Sequence, residues 1–365
     1  MKRAIQLIIS LAITGACLAW TFKSTNPFSS DPVVLASWHA MVESAKSVNL
    51  GRLGIYLLVL TLIHVARTIR WGNWLSGIEK VPFSKLNEAA GIGFMMLIIL
   101  PFRLGEFARP YLIADRSNIR RSAAMTSVVF ERIIDGLIIA VLLRVLLFFV
   151  HTDSPDIKWV QLGSTGMFAV FGGGLLFLLF ARWQHERAVK LISATFGRIN
   201  PKLGEKVGNV VDGFVGGTKQ LPDAANMAGF FFWTAVYWVA NGCGTAYFAG
   251  AFDCQNATAA CQPLSLTTFQ GFVVLSVLIV GMMIPAAPGS AGTFQACIKL
   301  GLSLFVPMAV VNTSGVAFSW VLWLVQISWQ ILFGVVLMLI SHRSFKDLTG
   351  KMKEDKDEGA EKAAA

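Results

Sequence analysis

Long uncharged runs fix the class of this chain before any motif is considered. Residues 313–340, TSGVAFSWVLWLVQISWQILFGVVLMLI, contain no Asp, Glu, Lys or Arg. About 20 apolar residues cross the hydrocarbon core of a bilayer. The stretches 1–21, 51–70, 123–150, 161–181 and 228–250 approach or exceed that length. The sequence is 55% hydrophobic and 14% charged, whereas a soluble domain carries about 25% charged residues. An all-α polytopic membrane protein is predicted, with no long polar block to hold a soluble catalytic domain. The formal net charge of +10 is assigned to basic loops on the cytoplasmic side, so no nucleic-acid partner is expected.

Basic residues orient the runs. Lys2 and Arg3 precede the first one, which reads as a signal-anchor helix with its N-terminus inside. Residues 22–50 form a polar outer loop with few bases. Span two then ends inside at Arg67 and Arg70, followed by Trp71 and Trp74 as interfacial belt residues. Span three is 123–150, with Arg144 snorkelling near its outer end, and span four is 161–181, where Gly172–Gly174 suit close helix packing. Residues 182–227 carry seven Lys or Arg against four acids and read either as amphipathic helix on the inner surface or as a solvated cytoplasmic connection. Span five is 228–250 and span six 313–340; the tail 341–365, charged in both signs, is expected to be disordered. Cys17, Cys243 and Cys297 lie in apolar runs and read as small buried side chains. Cys254 and Cys261 flank a short polar loop, and a disulfide follows if that loop faces an oxidising compartment. No CxxC or Cys/His cluster occurs, so neither a metal nor another cofactor is expected.

Two stretches do not fit simple spans. Residues 89–100 are apolar but too short to cross, and LPFRLGEFARPYLI follows at 100–113. Arg103, Glu106 and Arg109 lie there among the breakers Pro101, Gly105 and Pro110. Basic residues flank the stretch on both sides, so it is expected to enter and leave by the cytoplasmic face as a re-entrant hairpin. Residues 267–306 repeat the pattern around IPAAPGSAGTFQA, where Pro285 precedes Gly289 by the same interval as Pro101 precedes Gly105, and Pro288 and Gly292 add further breaks. Six spans and two broken hairpins place both termini inside, with halves at about 51–150 and 228–340 related as an inverted repeat within a domain of residues 1–340. Paired interrupted segments of this kind point to a transport site near the middle of the membrane.

PFRLGEFARPYLI, ERIID at 131–135 and IPAAPGSAGTFQA together resemble the lysylphosphatidylglycerol synthase transmembrane region, a flippase-like membrane family. The resemblance covers most of residues 50–340. It implies an integral membrane domain that carries lipids between leaflets of the inner, or plasma, membrane. Bifunctional members add a soluble aminoacyl-transferase domain; this sequence contains none, so lipid aminoacylation is not expected of it. The family's second motif commonly has an acid where this chain has Gln295, which can hydrogen-bond but carries no charge.

The candidate substrate-binding residues are therefore Arg103, Glu106, Arg109, Glu131, Arg132, Asp135 and Gln295. Guanidinium groups pair with phosphate bidentately, and charges inside a membrane segment mark functional sites. Glu131 and Asp135 share a helix face, which suits an ion-pair cluster that pins the first hairpin as well as it suits a headgroup site. Pro101, Gly105, Pro285, Pro288, Gly289 and Gly292 shape the hairpins. The expected function is lipid transport, with a membrane lipid as the partner. Alternatives are a membrane-embedded lipid-modifying transferase, against which no DxD-like motif or nucleotide loop is present, and a partner subunit for such an enzyme. A second copy of the chain is a further candidate partner.

Overall fold

Several helices in this chain begin where a side chain or a proline can deal with the N–H groups a first turn leaves without partners. The computed structural model describes residues 2–100, 105–106, 108–184, 187, 222–254, 261–283 and 288–342, and every regular element among them is helical. Pro101, Arg103, Pro285, most of the 182–227 connection and the tail beyond 342 lie outside the described residues. α1 is Lys2–Phe22 and α2 is Pro32–Lys46, where the Asp31 side chain accepts from the Val33 N–H. α3, Leu50–Leu75, is capped by Asn49. α4, Phe83–Ile99, and α5, Ala108–Arg116, flank the first break. α6 is Arg121–Phe148 and α7 is Ile157–Trp183. α8, Ala224–Ala249, starts at Asp223, whose exposed carboxylate is held below its ordinary pKa by the Asn226 backbone N–H. α9, Thr268–Gly281, has a reciprocal cap between Thr267 and Gln270. A 3-10 turn at Pro288–Ser290 leads into α10, Thr293–Leu302. α11, Met308–Ile340, contains a π-helical turn at Val311–Gly315.

Length separates two kinds of helix. α3 has 26 residues and reaches about 39 Å, beyond the ~30 Å hydrocarbon core. α3, α11 and the Ile157–Phe177 part of α7 are long and apolar enough to cross a membrane. α6 and α8, with 28 and 26 residues, have comparable length, and α1 has 21. α4 and α9 have only 17 and 14 residues, about 26 and 21 Å. Each short arm is followed by a break and a return helix of nine or ten residues, α5 or α10. The protein is an all-α polytopic membrane protein with two broken hairpins.

The packing is repeated between halves. α3 packs on α4, α4 on α5 and α5 on α6; likewise α8 packs on α9, α9 on α10 and α10 on α11. Across the halves, α4 packs on α11 and α9 packs on α6, while α3 and α8 form the most extensive contact, with Tyr56 stacked on Phe248 at 4.5 Å. Exchanging the halves maps this contact pattern onto itself. α1 lies outside the repeat and packs on α10, and α2 packs on the π turn.

Each hairpin crosses itself at a glycine. A Cβ on Gly93 of α4 would sit 2.2 Å from Arg109 Cγ on α5, and one on Gly281 of α9 would sit 1.9 Å from Cys297 Sγ on α10. The same number of residues separates the two positions in each hairpin, so Arg109 and Cys297 occupy matching places. The turn of hairpin two lies against α11 and the end of α4: Trp323 of α11 donates to the Gly289 carbonyl at 2.8 Å, and a Cβ on Gly289 would lie 4.0 Å from Ile98 Cγ2 of α4.

Several local expectations are corrected. The 22–50 loop contains α2, because Asp31 and Pro32 start a helix there. α4 begins at Phe83 rather than 89. Pro110 does not break a helix; it lies in the first turn of α5, where a missing N–H costs nothing. α3 continues past Arg70 to Leu75, so Trp71 and Trp74 are buried rather than interfacial: Trp71 donates to Ser127 Oγ at 3.0 Å, and Trp74 stacks on Phe130. A Cβ on Gly172, Gly173 or Gly174 would meet nothing within 4 Å among the described residues. Arg144 is exposed and donates to Thr165 Oγ1 of α7. Cys243 is exposed, and Cys17 and Cys297 are half-buried. The disulfide allowed for Cys254 and Cys261, by contrast, is present.

Candidate functional site

Glu131 and Asp135 lie one turn apart on α6, and the face they share meets α3. Arg70 of α3, with no exposed surface, spans both. Its Nε and Nη2 donate to Glu131 Oε1 at 2.9 and 2.6 Å, and its Nη1 and Nη2 donate to Asp135 Oδ1 and Oδ2, each at 2.7 Å. The planar fork of a guanidinium suits this arrangement, bidentate to Asp135 and with two donors converging on one Glu131 oxygen; an ammonium cannot reproduce it. Glu131 Oε2 accepts from Arg109 Nη1 of α5 at 2.9 Å. One carboxylate thus joins a spanning helix to the return arm of hairpin one.

The cluster is buried. Arg109 is 2% exposed and Glu131 is 1% exposed. Removing a charge from water costs several kcal/mol, about 3–5 when a buried pair is broken, so the pairing is required for hairpin one to sit where it does. The pairing leaves donors over. Arg109 Nε and Nη2, Arg132 Nε and Arg67 Nε are buried and have no hydrogen-bond partner among the described residues. Arg132 reaches Asp135 only at 3.9 Å, and Glu106 acts on it electrostatically. Aromatic faces support the surplus cations. Arg109 lies 4.4 Å from the Trp71 ring centre and 4.6 Å from that of Phe94, and Arg67 lies 3.5 Å from the Phe94 ring centre. Tyr237 of α8 faces Arg70 and Arg67 at 4.9 and 5.7 Å. Four guanidinium groups, on Arg67, Arg70, Arg109 and Arg132, are set against three carboxylates, on Glu106, Glu131 and Asp135. All the unsatisfied atoms named here are donors.

The structure therefore brings together Arg109, Glu131, Arg132 and Asp135, with Glu106 half-buried in a 3-10 turn beside them. Arg103 lies outside the described residues. Gln295 is elsewhere: its Oε1 accepts from the Gly292 N–H at 2.8 Å and caps α10, and its buried Nε2 has no hydrogen-bond partner among the described residues. No hydrogen bond joins Gln295 to the arginine cluster. Gly105 closes hairpin one, since a Cβ there would lie 2.1 Å from the Leu97 backbone N. Gly289, at φ +66°, and Gly292, at φ +82°, turn hairpin two through conformations that favour glycine. Pro288 starts the 3-10 turn.

Arg70 and Arg67 are the members that sequence reasoning missed. Both were assigned to a helix end, where bases are ordinary. The signal that could have found them is Trp71, Trp74 and Leu75, which extend the apolar face of α3 past both arginines. Among the described residues no group of three or more His, Cys, Asp or Glu is placed to hold a metal ion.

The family described as the lysylphosphatidylglycerol synthase TM region matches residues 7–334. The chain belongs to this family. The match runs from α1 to within α11, so α1 and α2 fall inside the family region along with the repeated halves. No curated protein and no solved structure matches the chain.

Proposed function

We propose that the protein moves an anionic phospholipid, or a lipid with a related phosphate headgroup, between membrane leaflets, with Arg109, Arg67 and Arg132 as the phosphate-facing residues. The observation that carries this reading is the Arg109 guanidinium. It is buried at the crossing of hairpin one, anchored by a single N–H to Glu131 and left with Nε and Nη2 unsatisfied. Phosphate oxygens are the natural acceptors for such a pair of parallel donors. Arg70, saturated by Glu131 and Asp135, holds the site together rather than reading the ligand. The approach of hairpin two's turn to the end of α4, at Gly289 and Ile98, suits a path interrupted by movable short arms. The same reading places the protein in the cell inner membrane with both termini in the cytoplasm. The basic residues of the inner loops support that orientation, as does the Cys254–Cys261 disulfide, which belongs on an oxidising face.

The test is reconstitution of the full chain into liposomes with fluorescent phosphatidylglycerol, followed by quenching of the outer leaflet. Exchange well above that of protein-free vesicles, lost in Arg109→Met, is expected. Equal exchange in protein-free, wild-type and Arg109→Met vesicles would overturn the reading.

A further inference from the structure

His64 is a buried titratable side chain that the phosphate site does not use. It lies on α3, one turn before Arg67 and Thr68, and is 2% exposed. Its Nε2 is 2.8 Å from Asn87 Oδ1 on α4. A carbonyl oxygen only accepts, so the neutral ring carries its hydrogen on Nε2 in this orientation of the Asn87 amide. Thr68 uses its hydroxyl hydrogen on the His64 carbonyl at 3.0 Å. Nδ1 is left with a lone pair that can take a proton.

The surroundings can hold the ring in either charge state. Phe333 and Trp329 of α11 lie 4.3 and 5.8 Å from the ring centre, and Phe94 of α4 meets it edge-on at 6.1 Å. Aromatic faces at these distances stabilise a cation. Arg67 and Arg109 oppose it: both sit on the same Phe94 ring, and both act on His64 electrostatically. The other charged groups around it are committed. Glu88 on α4 is paired with Arg116 at 3.0 Å, and Glu131 and Asp135 on α6 are paired with Arg70. α8 and α11 contribute no charged residue.

We infer that His64 is a proton-binding site coupled to the phosphate site, so that an anionic headgroup at Arg67 and Arg109 and a proton on His64 Nδ1 bind cooperatively. An anion beside the two guanidinium groups offsets their repulsion of an imidazolium, and linkage makes the effect reciprocal. The proton comes from solvent and forms an N–H at Nδ1, with no other bond made or broken. Because the ring bridges α3, α4 and α11, its charge changes the contact between the two halves as the site fills. The inference rests on reading Arg67 and Arg109 as an anion site, but its test does not require transport.

The test uses the full chain, with isotope-labelled histidine, in nanodiscs of phosphatidylcholine alone or of equal parts phosphatidylcholine and phosphatidylglycerol. The chain has five histidines, and His64→Gln assigns the His64 imidazole signal by its loss. At about pH 6.5, near the ordinary imidazole midpoint, phosphatidylglycerol is expected to raise the protonated fraction of His64 at least about twofold. Arg109→Met should abolish that rise, which separates the site from the general attraction of protons to an anionic surface. In liposomes, the ratio of exchange rates at low and neutral pH should fall toward one in His64→Gln. A His64 signal that ignores phosphatidylglycerol overturns the inference, whatever exchange does, and so does an exchange ratio unchanged in His64→Gln. A responsive His64 in a protein that exchanges no lipid supports the coupled site and overturns the transport reading instead.

Discussion

The two broken hairpins share a plan and differ in chemistry. Each has a short apolar arm, a break and a return helix that crosses the arm at a glycine. Hairpin one puts Arg109 at its crossing and hairpin two puts Cys297 at the matching place. Hairpin one is held by charge: Glu131 ties Arg109 on the return arm to Arg70 on α3. Hairpin two is held by backbone geometry, through left-handed glycines, the Trp323 donor to Gly289 and the Gln295 cap. A duplicated scaffold can therefore carry one binding arm and one supporting arm. Charge needs partners from several helices, whereas a neutral turn can be satisfied within its own segment and one neighbour.

Removing Arg70 should separate the hairpins most. Arg70→Met leaves Glu131 and Asp135 buried without their fork, a loss of about 3–5 kcal/mol, read as a lower thermal midpoint in detergent. The quadruple variant Arg70→Met, Arg109→Met, Glu131→Met, Asp135→Leu should recover much of that stability while exchanging no lipid, since an apolar replacement of a buried ion network is often near neutral. Arg109→Ala is next. Glu131 keeps Arg70, so the stability loss should be about 1.5–3 kcal/mol, that of one charged hydrogen bond, while phosphatidylglycerol exchange falls at least about tenfold, the ratio expected from losing about 1.4 kcal/mol in the rate-limiting barrier. The matching change in the other hairpin, Cys297→Ala, should leave exchange within about twofold; an equal loss in both would break the asymmetry argued here. Gly289→Ala should cost about 1–2 kcal/mol, because its φ of +66° lies where a Cβ is strained. Gln295→Ala should cost least, about 1 kcal/mol for a lost helix cap, again measured as a shift in thermal midpoint with exchange retained.

How much of this was legible differs by residue. The helical class, the two breaks and their correspondence could be read because hydropathy, proline and glycine act locally. Glu131 and Asp135 could be paired on one face because an α-helix fixes which residues share a side. Arg70 was not legible as the centre of the site. Its partners are 61 and 65 residues away in the chain, and near the assigned end of an apolar run an arginine looks like an ordinary cytoplasmic anchor. Gln295 was legible as a departure from the family pattern but not as a cap, because that role depends on the backbone direction at Gly292.

The sequence by itself determined that this chain crosses a membrane as helices and breaks two of them in matching places. Apolar length and the need to satisfy backbone groups in hydrocarbon leave little else. Tertiary structure alone decided which charges neutralise one another. That choice is a matter of distance across helices: Arg70 is enclosed by two carboxylates, while Arg109 reaches one and keeps two donors. The difference between a structural arginine and a ligand-facing one is set by which neighbours the fold brings within hydrogen-bond range.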